Sequence, residues 1–159
     1  MREVVGDLWE VEADARVITT NGTIKKNGAA VMGRGVAKQA SVKYPILPYA
    51  LGDMLKSVGN VPTVFRHLDN TIPIITLPVK HEWYQKADLA LIEKSLQLLV
   101  DVVDKEGFEV VVLPRPGCGN GGLAWADVRH ILAWYLDDRF LVLNYNGEPL
   151  PISKTPRLP

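Results

Sequence analysis

Val110-Val111-Val112-Leu113 runs without a break into Pro114-Arg115-Pro116-Gly117-Cys118-Gly119-Asn120-Gly121-Gly122-Leu123, and from there into Ala124-Trp125. The first four residues are apolar on both alternating faces and mostly β-branched, which suits a central strand covered by helices on each side. The loop that follows holds four glycines in six residues, Gly117, Gly119, Gly121 and Gly122. One or two would be enough to reverse the chain. The excess points to a loop whose backbone N–H groups close on a ligand at a strand's carboxyl end, against the alternative of a purely structural loop.

Working outward, other short apolar stretches read as strands: Val4-Val5, Val17 to Thr20, Ile72 to Leu77 and Phe140 to Leu143. Between them lie helical periods. Residues 87 to 106 place Leu89, Ile92, Leu96, Leu99 and Val103 on one stripe, with Gly107 positioned to stop the helix. Residues 124 to 137 align Trp125, Val128, Leu132 and Tyr135, and put Asp127 in the first turn where the helix dipole favours a carboxylate. A shorter helix is predicted from about Gly35 to Lys43, ended by Tyr44-Pro45, and another after Pro48. Strands alternating with helices predict an α/β fold of three layers with a parallel or mixed sheet. Ligands of such sheets collect beyond the carboxyl ends of the strands.

The 159 residues, 47% hydrophobic and 23% charged, suit one compact domain. We assign it to residues 1–148, with 149–159 as an irregular, proline-rich tail. Eighteen basic and eighteen acidic side chains cancel, which excludes a broad positive field for sequence-independent nucleic-acid binding. The single Cys118 forms no intrachain disulfide, and His67, His81 and His130 have no metal-ligand spacing with it, so no metal site is expected. The amino terminus MREVVGDLWE is charged where a secretion signal is apolar, and no run reaches the ~20 apolar residues of a membrane span. A soluble cytoplasmic protein, a monomer without membrane association, is the expectation.

A second glycine-bearing loop follows the second strand: Asn21-Gly22-Thr23-Ile24-Lys25-Lys26-Asn27-Gly28, then Val31-Met32-Gly33-Arg34-Gly35-Val36-Ala37-Lys38. Glycines just before a helix start suit an anion, a phosphate above all, although turn geometry alone also accounts for them. Two nucleotide motifs are excluded. Gly28 to Arg34 has the outer spacing of a P-loop but carries Arg34 and Gly35 where Lys and Ser/Thr are required. Gly33-Arg34-Gly35-Val36-Ala37-Lys38 puts Lys38 where a dinucleotide fingerprint needs its third small residue. Two glycine loops, each leading from a strand into a helix, imply two walls around one extended ligand bearing a diphosphate.

After the strand at 72 to 77 comes Leu77-Pro78-Val79-Lys80-His81-Glu82-Trp83-Tyr84-Gln85-Lys86. Lys80 lies just past the strand end. It is either a solvated surface charge or, if burial or a nearby cation lowers its pKa, a nucleophile or electrostatic catalyst. His81 and Glu82 read as neighbours rather than catalysts. Cys118 near a helix start suggests a thiol nucleophile, but no histidine is placed by sequence to serve it.

These residues resemble the macrodomains, and within them the branch that holds the DarG antitoxins and the terminal ADP-ribose glycohydrolases. The likeness runs from Gly6-Asp7-Leu8 through Val31 to Ala37 and Leu77 to Trp83 to the most specific run, Gly117 to Trp125. The resemblance implies a three-layer α/β/α macrodomain with a central mixed, mostly parallel sheet, and ADP-ribose as ligand with no further cofactor. It implies that Asp7 binds the adenine amine, with Leu8 beside the base. Met32, Gly33, Arg34, Gly35 and Val36 on one side, and Pro116, Gly117, Cys118, Gly119, Asn120 and Gly121 on the other, would clamp the diphosphate and distal ribose. Asn21 would approach that ribose, and Tyr145 would stack on adenine or serve as an ordinary core or surface tyrosine.

In that branch a lysine after a Pro-x pair performs cleavage, and Lys80 occupies the place. The sequence departs from the pattern twice. Where the ester-cleaving terminal glycohydrolases carry an aspartate, this chain has Gly121, as DarG does, which favours ADP-ribose linked to a DNA base. The stretch Thr23 to Gly28 is longer than the DarG pattern. The expected function is an ADP-ribosyl glycohydrolase acting on ADP-ribosylated macromolecules, single-stranded DNA among them. The alternatives are a non-catalytic ADP-ribose reader and an ADP-ribose 1″-phosphate phosphatase.

Overall fold

The structure, a computed structural model, describes residues 1–68 and 72–144. Its strands are β1 (Arg2–Val4), β2 (Ala15–Thr20), β3 (Val64–Phe65), β4 (Ile74–Pro78), β5 (Val111–Leu113) and β6 (Phe140–Leu143). The helices are α1 (Gly35–Lys43), α2 (Leu47–Val58), α3 (Leu89–Glu106) and α4 (Trp125–Tyr135). One sheet runs in the order β1-β6-β5-β2-β4-β3, with every neighbouring pair parallel except β3 against β4.

The alternation of side chains along the strands builds two cores, one on each face. Ile18, Ile74, Val112 and Leu141 point to one side and pack with Val36, Ala40, Leu47 and Leu51 of α1 and α2. Val17, Ile75, Val111, Leu113 and Phe140 point to the other and pack with Ile92, Leu96, Leu99, Val128 and Leu132 of α3 and α4. The result is the three-layer mixed sheet expected from the apolar run at 110 to 113.

Several expected details moved. On α3 the buried stripe turns away from Leu89, which is 37% exposed, toward Leu91 and Ser95, whose hydroxyl donates to the Pro78 carbonyl at 2.8 Å. The helix starts at Leu89 because Asp88 caps it, accepting from the Ala90 N–H at 2.9 Å. Gly107, at φ 73°, ends it in the left-handed conformation. α2 begins one residue before Pro48, so that the proline sits in the first turn, where its missing N–H costs nothing. The edge strand β3 escaped notice because two residues are too few to show alternation. Val5 lies outside β1 and is half exposed. The tail at 149–159 and Tyr145 lie outside the described residues. Among the described residues, no helix is long and apolar enough to cross a membrane.

Candidate functional site

β2 is followed by α1 on one face of the sheet, and β5, its neighbour, by α4 on the other. The chain therefore parts in opposite directions above β2 and β5, and a crevice opens beyond their carboxyl ends. A cleft of about 520 Å³ occupies this place. It is lined by the end of β2 and Asn21, by the segment Val31 to Ala37, by Val79, Lys80 and Trp83 beyond β4, and by Pro114, Arg115, Gly117 and Gly119 to Gly121 beyond β5.

The two glycine loops face each other across it. A Cβ placed on Gly35 would lie 3.4 Å from the side-chain amide nitrogen of Asn120. Gly35 itself adopts φ 59°, which favours glycine, at the first residue of α1. No side chain caps α1, and its first three residues line the cleft, so its unpaired N–H groups and dipole are offered there. The charged lining is one-signed. Lys25, Arg34, Lys80 and Arg115 contribute four basic side chains, and among the described residues no carboxylate lines the cleft. A chain of zero formal net charge thus concentrates positive potential where a diphosphate would sit.

The glycine-rich loop after β5 is less free than its composition suggests. Gly117 and Gly122 both have φ 76°. A Cβ on Gly117 would crowd Ile92 at 2.9 Å, and one on Gly121 would run into the Gly117 carbonyl and meet Ala87 at 2.8 Å. Turn geometry accounts for Gly117 and Gly122, and close packing for Gly117 and Gly121, so turn geometry alone does not explain all four glycines. The fold explains the composition, and the cleft uses the backbone that results.

Lys80 follows the end of β4, where Val79 extends the ladder by donating to the Thr20 carbonyl at 3.0 Å. Its amine reaches the Trp83 carbonyl at 3.4 Å. Desolvation first, and the Arg34 guanidinium second, hold the Lys80 amine below the usual lysine range. Both causes favour the neutral amine, the form that is nucleophilic. Cys118 is the opposite case. Burial raises its thiol, outweighing Arg115, and its sulfur lies 3.5 Å from the Pro116 carbonyl, outside the cleft lining. No thiolate is prepared there.

Of the residues singled out from sequence, the cleft gathers Asn21, Met32 to Val36, Lys80, Gly117, Gly119, Asn120 and Gly121. Asn21 lines it with its amide already engaged, donating to the Val31 carbonyl at 3.1 Å and accepting from the Thr23 N–H at 3.0 Å. Pro116 is buried and, like Cys118, does not line it. Neither do Asp7 and Leu8. Asp7 is exposed beyond β1 with one carboxylate oxygen accepting from the Trp9 N–H at 2.8 Å. Leu8 is fully buried in the core, so its side chain has no surface to offer a base. Sequence reasoning passed over Lys25, Arg115 and Trp83 as lining residues. For Arg115 a signal existed, because it directly follows the strand-ending Pro114. The guanidinium stacks over the Trp125 ring at 4.5 Å, which fixes its approach to the loop.

The Macro domain family model matches residues 56–132. A DNA ADP-ribosyl glycohydrolase of Mycobacterium tuberculosis is 33% identical over 132 residues, covering 80% of this chain and 36% of that protein. The chain thus spans about a third of the length of such curated relatives. The solved macrodomain of Mycobacterium tuberculosis DarG superposes with a TM-score of 0.74 at 29% identity, covering 89% of this chain and 96% of that one. The Thermosipho africanus DarTG structure in complex with ADP-ribose superposes with a TM-score of 0.78 at 22% identity, covering 92% and 42%, which speaks to the fold alone. With a fold that superposes on these macrodomains and relatives of this kind along most of its length, the chain belongs to the macrodomain family.

Proposed function

We propose that this chain binds ADP-ribose in the cleft and hydrolyses its bond to a DNA base through Lys80. The observation that carries the reading is the placement of Lys80, its amine biased toward the neutral form, on the wall of the same cleft that both glycine loops line. The names of the similar proteins support the choice of ligand and acceptor.

In this reading the diphosphate lies between Gly33 to Val36 and Gly117 to Gly121, neutralised by Arg34 and Arg115. Asn21 faces the distal ribose, and the adenine extends past the lining of the cleft to Asp7, exposed beyond β1, whose remaining carboxylate oxygen takes the adenine amine. The neutral Lys80 amine displaces the base at the anomeric carbon, and one amine proton leaves with the base. The remaining N–H proton passes to the ring oxygen as its bond to the anomeric carbon breaks, and the opened sugar is held as an imine, which water hydrolyses to free ADP-ribose and the starting amine. The net change is one water consumed per ADP-ribose released. The acceptor would lie against Trp83, which lines the cleft and is half exposed, with its neighbour Tyr84 packed edge-on at 5.8 Å. Stacking of a base on such a ring contributes about 1–3 kcal/mol.

The test is release of ADP-ribose from ADP-ribosylated single-stranded DNA by wild type and Lys80→Ala. Equal rates would refute the lysine mechanism. Calorimetric binding of ADP-ribose without release from any linked substrate would make the protein a reader. Phosphate liberated from ADP-ribose 1″-phosphate at substoichiometric protein would make it a phosphatase.

A further inference from the structure

The stretch Thr23 to Gly28, which from sequence is only an extra length of loop, folds into a small hairpin closed by a bridge between Ile24 and Ala30. One end of this hairpin is fixed to α2. The Ala30 N–H donates to the Pro48 carbonyl at 2.8 Å, and the Gly28 carbonyl packs so closely on Gly52 that no Cβ fits there. The other end meets the segment that carries Lys80, and it does so residue by residue. Gly22 N–H donates to the His81 carbonyl at 3.1 Å. The Thr23 hydroxyl donates to Oε2 of Glu82 at 2.6 Å and accepts from the Trp83 N–H at 2.9 Å. Lys80 is reached from α2's side of the hairpin, where Nδ2 of Asn60 donates to its carbonyl at 3.0 Å.

Each of the four residues from Lys80 to Trp83 is therefore tied by a hydrogen bond to the hairpin or to Asn60. Asn60 keeps its Oδ1 buried without a partner, so the side chain tolerates an unsatisfied acceptor to hold that one bond. This lacing has no counterpart in what ligand binding alone requires, because Gly22, Thr23 and Asn60 do not line the cleft. Resting on the lysine reading above, we propose that Thr23 and Asn60 are positioning residues, and that the hairpin is a strut which fixes the Lys80 amine against the distal ribose. Thr23 is the centre of the strut, since its single hydroxyl closes two of the bonds.

Two readouts test this separately from the function itself. Thr23→Val keeps the side chain's shape and removes both bonds, and Thr23→Ser keeps both. Amide hydrogen exchange reads the lacing directly. Residues 80 to 84 exchange faster in Thr23→Val and at the wild-type rate in Thr23→Ser. Kinetics on ADP-ribosylated single-stranded DNA reads the consequence. Thr23→Val loses on the order of ten- to a hundredfold in kcat, the scale of a misplacement up to ~1 Å, with KM and calorimetric ADP-ribose affinity within a few-fold of wild type. Thr23→Ser recovers most of the rate.

Unchanged exchange over 80 to 84 in Thr23→Val overturns the strut whatever the enzyme does. Faster exchange with kcat unchanged overturns its positioning role. Equal loss in the Ser and Val variants does the same, because the bonds would then be irrelevant. Absence of release by wild type refutes the lysine reading instead, and leaves the exchange comparison to judge the strut.

Discussion

Replacing Gly22 by alanine perturbs the lysine segment by pushing rather than by releasing it. The added Cβ would sit 2.7 Å from the His81 carbonyl oxygen and 3.0 Å from Nδ2 of Asn60, where ordinary contact begins at 3.4 Å. The difference, 3.4 minus 2.7, asks for about 0.7 Å of movement. Gly22 does not have a positive φ, so alanine meets no backbone strain and the whole cost falls on the neighbours. Overpacking of this kind costs about 1–3 kcal/mol of stability, which leaves the domain folded. If a 1 Å misplacement costs about a hundredfold, 0.7 Å costs roughly twenty- to thirtyfold in kcat. That rate loss corresponds to about 2 kcal/mol of transition-state stabilisation. Single-turnover release from an ADP-ribosylated oligonucleotide measures it, with calorimetry on free ADP-ribose and thermal unfolding as controls. ADP-ribose affinity stays within a few-fold, because Gly22 does not line the cleft. A kcat within twofold of wild type, in a protein that shows the expected stability loss, would refute the claim that the position of residues 80 and 81 governs the rate.

The rate of release rises with pH as the Lys80 amine loses its proton, with an inflection below the ordinary lysine range. Arg34→Gln, by removing the second cause of that depression, moves the inflection upward; a pH–rate profile that stays in place contradicts it. Gly119→Trp abolishes ADP-ribose binding in calorimetry while the melting temperature stays close to wild type, because Gly119 is an exposed cleft residue. Gly121→Val instead destabilises the domain, because its side chain collides with the Gly117 backbone, and a normal melting temperature would contradict the packing described. Ile92→Ala or Leu132→Ala, at fully buried positions, lowers stability by about 2–5 kcal/mol in urea unfolding with an unchanged m-value.

The layers were legible because burial leaves a periodic trace. Val111 to Leu113 must satisfy a core on both faces, and a sequence can meet that demand only by being apolar at every position. Ile92, Leu96, Leu99 and Val103 carry the helical period for the same reason, and Gly107 marks the stop because only a left-handed residue fits. What left no trace was structure decided by distant partners. Val64-Phe65 suits a strand, but two residues show no alternation, and β3 is defined only by the edge that Ile74 to Thr76 of β4 offers it. The Thr23 hairpin likewise takes its shape from α2 and the Lys80 segment, so its own residues read as extra length.

The glycines after β5 mark a loop that lines the cleft, yet Gly117, Gly121 and Gly122 are set by backbone angles and by Ala87 and Ile92 beneath them. A tight loop of this kind has its carbonyls turned inward to bind its own chain, as Gly117 does to Leu123 N–H at 2.9 Å and Gly121 to Ala87 N–H at 2.9 Å. The loop's own turns and packing account for these glycines without reference to a ligand, which is why composition alone could not separate the two explanations. The charge pattern was hidden for a related reason. Lys25, Arg34, Lys80 and Arg115 are scattered over ninety residues of a neutral chain, and only the crossing of β2 and β5 toward opposite faces brings them to one cleft.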